Sequence, residues 1–125
     1  MINLKIENGL LFCEVMVKND RNILKIPNVL VDTGSAGTIF KTEVLEEVGI
    51  KQEPADPIEV IRGVGGNEFV FIKKIDEIQF GDHQLNDFQV EVGAMDYGIK
   101  INGIVGLDLL MSLGITIDLE KLEMY

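Results

Sequence analysis

The chain has 125 residues, of which 21 are acidic and 11 basic, for a formal net charge of -10. That length allows a single domain, 1–125, with a sizeable core and no need of staples. The acidic excess excludes the basic footprint of a nucleic-acid binder and opposes contact with an anionic membrane, and a lone cysteine excludes an intrachain disulfide.

Ile2, Leu4 and Ile6 alternate with polar residues as in a period-2 strand, Asn8-Gly9 follows, and residues 10–17 are largely apolar, so the chain is expected to open with a β-hairpin. No signal-peptide pattern stands at the N-terminus and no apolar run approaches the roughly 18 residues of a membrane span, so the expected setting is cytoplasmic and reducing. Cys13 lies inside the second strand beside Glu14, with no histidine nearby, and reads as a buried core thiol. Residues 18–25 are polar and turn-like. Pro27 then leads into Val29, Leu30 and Val31, an apolar β-branched run that ends at Asp32, Thr33, Gly34 and Ser35. A strand covered on both faces therefore delivers a carboxylate into a tight turn, where desolvation penalises it unless donors or a second charge intervene. Thr33 and Ser35 offer such donors; an Asx-turn that merely caps the strand is the plainer reading of the same residues.

Thr38 to Phe40 reads as a short strand, and Val44, Leu45 and Val48 as one face of a short helix stopped by Gly49. A Pro-containing surface loop follows over 52–57. Residues 58–61 and 69–72 form a hairpin whose tip holds Gly63, Val64, Gly65 and Gly66, either a loose hairpin or a movable lid. Residues 75–80 and 88–92 are strand-like. The only histidine, His83, falls in the Gly-Asp-His turn between them and has no partner suited to metal binding or base catalysis. After an irregular stretch over 95–100, Ile101, Ile104 and Val105 lead through Gly106 into a short apolar helix closed by Gly114. Asp108 in its first turn suits the helix dipole. Residues 115–118 and 122–124 are placed to pair as a hairpin around Leu119-Glu120-Lys121.

The order of these features resembles that of the retropepsin-like aspartic proteases over nearly the whole chain, in a cellular or bacterial rather than retroviral form. Asp32, Thr33 and Gly34 match the catalytic triplet, the run from Gly63 to Gly66 matches the flap tip, and Ile104, Val105 and Gly106 match the hydrophobic-hydrophobic-Gly motif before the helix. The resemblance implies an all-β fold with two short helices, a closed β-barrel with a flap hairpin over the site. It implies an endopeptidase with no cofactor and no metal, acting on an extended peptide. Thr33 would brace the site across a two-fold axis, the Gly34 carbonyl would meet substrate backbone, the Val64 amide would reach substrate through a water, and Leu30, Ser35, Gly63, Gly65, Ile101 and Ile104 would line the binding cleft.

Peptide hydrolysis by carboxylates needs two of them sharing a proton, and this sequence supplies one Asp-Thr-Gly, so the second comes from a second copy in a homodimer. Retroviral members carry an acid after the triplet that pairs with an arginine after the helix-entry glycine; here Ser35, Ala36 and Leu107 replace that pair. Ser35 is expected instead to donate to Asp32 and lower the pKa values of the dyad. Two other readings are a non-catalytic member of the same fold that binds peptides, and a carboxylate-based metal hydrolase, for which the acids and single histidine provide no ligand cluster.

Overall fold

The computed structural model of the chain describes residues 1–63 and 66–125. It is mainly β. In chain order the elements are β1 (Ile2–Asn3), β2 (Lys5–Glu7), β3 (Leu10–Asn19), β4 (Asn22–Val31), β5 (Ile39–Lys41), α1 (Thr42–Leu45) with a 3-10 turn over Glu46–Val48, β6 (Ile58–Gly63), β7 (Gly66–Phe80), β8 (His83–Gly93), β9 (Gly103–Val105), α2 (Leu107–Ser112), β10 (Ile117–Asp118) and β11 (Glu123–Met124). Asn8 and Gly9 both take positive φ, 51° and 76°, the geometry that lets a two-residue turn follow the twist of its strands.

Six strands close a ring. β3 pairs with β4, β4 runs parallel to β9, β9 is antiparallel to β5, β5 is parallel to β8, β8 is antiparallel to β7, and β7 returns to β3 through Ile78↔Val17. β6 adds to the outer half of β7 and β2 to the start of β3. The ring interior is the main core, in which Val15, Val17, Ile26, Phe40, Ile75, Ile78, Phe80 and Val105 are fully buried. Cys13 is buried there too, and burial, aided by Glu14, pushes its thiol up to about 12, so it stays protonated and inert.

A second apolar cluster has buried Ile39, Val70, Met95 and Ile101 and half-buried Leu30, Ile61, Ile72 and Ile104. Strand alternation creates the division: on β8, Val90 and Val92 enter the main core while Glu91 and Gly93 turn to the second cluster.

Local polarity misleads in four places. Residues 18–25 are two strands joined by a tight turn at Asp20-Arg21, because Lys18 is held in register by Ile23 on one side and Glu77 on the other. The strands expected at 69–72 and 75–80 are one, since Lys73 directs its ammonium to Glu53 (2.7 Å) and Asp56 (2.9 Å) without interrupting the ladder. His83 opens β8 opposite Phe80 rather than lying in the turn. Ile6 is 53% exposed although Ile2 and Leu4 are buried, because the chain changes sheets at Leu4.

The C-terminal hairpin forms, and β11 also pairs with β1 through Ile2↔Met124, giving a three-stranded sheet of order β1-β11-β10 within one chain. Met124 is fully buried in the main core and, with Ile2 of β1, fastens this sheet to it. Met124→Ala is expected to lower unfolding free energy by about 2–5 kcal/mol in denaturant titration, whereas the neighbouring exposed Tyr125→Ala leaves it within about 0.5 kcal/mol.

Candidate active site

β4 ends at Val31, and the Asp32 amide donates to the Val105 carbonyl at 3.0 Å, so the parallel neighbour β9 fixes where the strand stops. The chain then turns sharply, with the Ser35 amide donating back to the Asp32 carbonyl (3.1 Å). Asp32 is half-buried, less enclosed than its apolar approach implies, and Thr33, Gly34 and Ala36 are exposed. One carboxylate oxygen, Oδ1, accepts the Gly34 amide at 2.9 Å; among the described residues no donor reaches the other. A side chain at position 34 would bring its Cβ within 3.1 Å of that same oxygen, which keeps the position small.

Ser35 does not meet the expectation placed on it. Its hydroxyl donates to the Gly37 carbonyl at 2.8 Å, inside the loop, so the donor to Asp32 is the Gly34 backbone and the pH argument built on Ser35 falls away.

The turn between β9 and α2 lies directly on this loop. The Leu107 amide donates to the Ser35 carbonyl at 2.7 Å and the Asp108 amide to the Ala36 carbonyl at 3.3 Å. A Cβ at Gly106 would stand 2.2 Å from the Gly37 carbonyl oxygen, so only glycine admits this approach. Asp108 does more than suit the helix dipole: Oδ1 accepts from the Thr38 hydroxyl (2.7 Å) and the Leu109 amide (2.7 Å), and Oδ2 from the Thr38 amide (3.3 Å). The Thr38 hydroxyl in turn accepts the Gly106 amide at 3.1 Å. In the sequence Thr38 is marked only as a hydroxyl residue just before an apolar pair, Ile39-Phe40.

Leu30 and Ile104 face each other in the β4–β9 pair and are half-buried, forming an accessible apolar wall beside the turn. Ile101 belongs to the same cluster but is only 1% exposed, so it backs the wall rather than forming its surface. Gly63 pairs with Gly66 at the end of the β6–β7 hairpin, while the expected flap-tip residues Val64 and Gly65 lie outside the described residues. Glu91, on the same side of β8 as Gly93, reaches the space above Gly37, where an added Cβ would come within 2.6 Å of its carboxylate. Burial raises its pKa, with Asp108, Glu59 and Glu68 adding in that order. A shallow cavity of about 310 Å³ lined by Gln52, Ile58, Phe69, Val70 and Phe71 contains no residue of the Asp32 turn. No group of three or more histidine, cysteine or acidic side chains is placed to hold a metal among the described residues, and no helix there is long and apolar enough to cross a membrane.

The site thus combines a six-stranded ring, Asp-Thr-Gly at the end of one of its strands and a Gly-entered helix bound to the same loop. The profile of the aspartyl protease family matches residues 14–109, which include the Asp32 turn, the hairpin and the Gly106 turn, and the chain belongs to that family. Its fold is retropepsin-like: a crystal structure of a retropepsin-like aspartic protease from Rickettsia conorii is similar with a TM-score of 0.71, covering 100% of this chain and 97% of that one at 17% sequence identity. No curated protein sequence matches the chain.

Two outcomes follow for the loop. Thr38→Val keeps the shape but strands the Gly106 amide and leaves Asp108 Oδ1 with the Leu109 amide alone, and is expected to lower unfolding free energy by roughly 1–3 kcal/mol, with Thr38→Ser losing less, both measured by denaturant titration. Because the folded Glu91 carboxyl holds its proton to higher pH than the unfolded one, its contribution is intact in acid and is lost as pH rises through the folded pKa. Glu91→Gln is therefore expected to raise the thermal midpoint at neutral pH, the gap closing as pH falls below the ordinary glutamate value of about 4.3.

Proposed function

We propose that the chain is an aspartic endopeptidase that works as a homodimer, each copy giving Asp32 to a dyad on the two-fold axis. The observation that carries this reading is the state of Asp32: a half-buried carboxylate with one oxygen held by the Gly34 amide, set in an exposed turn of a chain with a single Asp-Thr-Gly. A lone carboxylate cannot be both base and acid in one turnover. Two close together share a proton, one taking a proton from the attacking water while the other gives one to the leaving nitrogen.

The surroundings support a second copy at this face. Thr33 is exposed and available to bond across the axis, and α2, whose first amide is bound to Ser35, presents exposed Leu107 and Met111. Burial of such side chains favours association. With both loops in place, each Asp32 would sit beside its mate in a less hydrated setting, where one proton is retained between them.

Substrate would lie extended between the Asp32 turns and the β6–β7 hairpins, bonded along its main chain as an added strand. Its side chains would rest on the wall formed by Leu30 and Ile104 and backed by Ile101. Gly34 would offer its carbonyl to the substrate backbone, and Gly63, Val64 and Gly65 would cover it.

The test compares wild type with Asp32→Asn on a mixed peptide library at several pH values, alongside sedimentation. Wild type is expected to cleave and to sediment as a dimer, and Asp32→Asn to keep the dimer while losing roughly 10³-fold or more in rate. Equal cleavage by the two proteins overturns the reading. Peptide binding without cleavage by wild type would instead identify a non-catalytic member of the fold.

A further inference from the structure

We propose that Glu68 is a positioning residue that locks the β6–β7 hairpin to the loop over residues 94–100, so that hairpin and cleft wall move as one unit. This rests on the peptidase reading for its kinetic consequence but not for its mechanics. Glu68 lies two residues into β7, opposite Ile61 and on the same side as Val70 and Ile72, all members of the second apolar cluster. Its carboxylate is half-buried and spends both oxygens on the loop: Oε1 accepts the Met95 amide at 2.9 Å and Oε2 accepts the Tyr97 hydroxyl.

Three further features mark the contact as built. Gly93 is needed for room rather than for its backbone angle, since an added Cβ would lie 2.7 Å from Glu68 Oε1 and 3.0 Å from Val70. Met95 takes a left-handed conformation, φ 53°, which a side-chain-bearing residue keeps only where its surroundings hold it. Here the amide is fixed by Glu68 and the side chain is 1% exposed against Ile39, Val70 and Ile101. Tyr97, by contrast, is 44% exposed, so its hydroxyl bond to Glu68 is an external clasp. Burial first, then the bond to Glu68 and the charges of Glu68 and Glu91, push the Tyr97 proton loss well above its ordinary range, so it remains a donor.

The mechanical consequence is specific. Residues 94–100 lead straight into Ile101, which backs the Leu30–Ile104 wall, and Glu68 is near the tip end of the hairpin that would cover substrate. Lifting the hairpin must either break both bonds or carry the loop with it. Either way, how open the cleft stands is tied to where its wall stands.

The experiment uses the full chain with Glu68→Ala, Tyr97→Phe and Glu68→Gln. The first removes both bonds and the second only the clasp; the third restores both, because a carboxamide can accept the Met95 amide and donate to the Tyr97 hydroxyl. Hydrogen–deuterium exchange of residues 58–63, 66–72 and 94–100 is expected to speed up about five- to tenfold in Glu68→Ala, less in Tyr97→Phe, and to stay near wild type in Glu68→Gln, with the rest of the ring unchanged. Peptide cleavage is expected to show KM raised roughly three- to tenfold with kcat within about twofold, the split that separates a loosened cover from a general loss of active protein. Unchanged exchange in Glu68→Ala, or faster exchange in the hairpin with the loop unaffected, overturns the proposal. If wild type cleaves nothing, the peptidase reading fails, and the exchange data still decide whether Glu68 couples the two segments.

Discussion

The bond between Thr38 and Asp108 is what the rest of the site stands on. The turn that carries Asp32 exposes Thr33, Gly34 and Ala36, so apolar burial does little to hold it in one shape. Directional bonds do that instead, and one carboxylate gathers the strongest of them: the Thr38 hydroxyl, the Thr38 amide and the Leu109 amide all donate to Asp108. The bonds from the Thr38 hydroxyl and the Leu109 amide are both 2.7 Å, and the fully buried Thr38 shields them from water. Loop and helix thereby become a single rigid piece, with Gly106 pressed against the Gly37 carbonyl as its seam. A side chain carried on such a piece is held in place in advance.

Around this piece the ring divides its side chains between stability and access. The interior face of β8 sends Val90 and Val92 into the main core, while the opposite face carries Glu91 and Gly93 toward the second cluster. The first set is close-packed and apolar. The second tolerates a half-buried carboxylate whose charged form is penalised by burial and by Asp108, Glu59 and Glu68 around it. A sequence selected only for stability would not retain that repulsion, and local departures of this kind are expected where a surface has another task.

Much of the fold could be read from the sequence because its punctuation is strong. Asn8-Gly9 set the first hairpin, Gly49 and Gly114 closed the helices with positive φ, and the apolar run into Asp32 located the turn. What escaped was information held in pairing rather than in composition. Lys18 and Lys73 look like loop residues until their strand partners and ion pairs are known. Ser35 and Thr38 are both hydroxyl residues near Asp32, and no local pattern says that the first bonds within its own loop while the second reaches a helix from a distant part of the chain. The Glu68 contacts were illegible for the same reason, since Tyr97 and Met95 lie in a stretch without periodicity and meet Glu68 only after β7 and β8 have paired.

The terminal sheet bears on how the chain reaches this state. β11 lies between β1 and β10, so β1 has no neighbour on its sheet until β11 has formed. The hairpins β3–β4 and β7–β8 can form from neighbouring segments, but closure of the β1–β11 pair joins residues separated by almost the entire sequence. Such contacts carry the largest loop-closure entropy and form late. Until β11 docks, β1 therefore exposes an unpaired strand edge. Docking of β11 seals the terminal sheet.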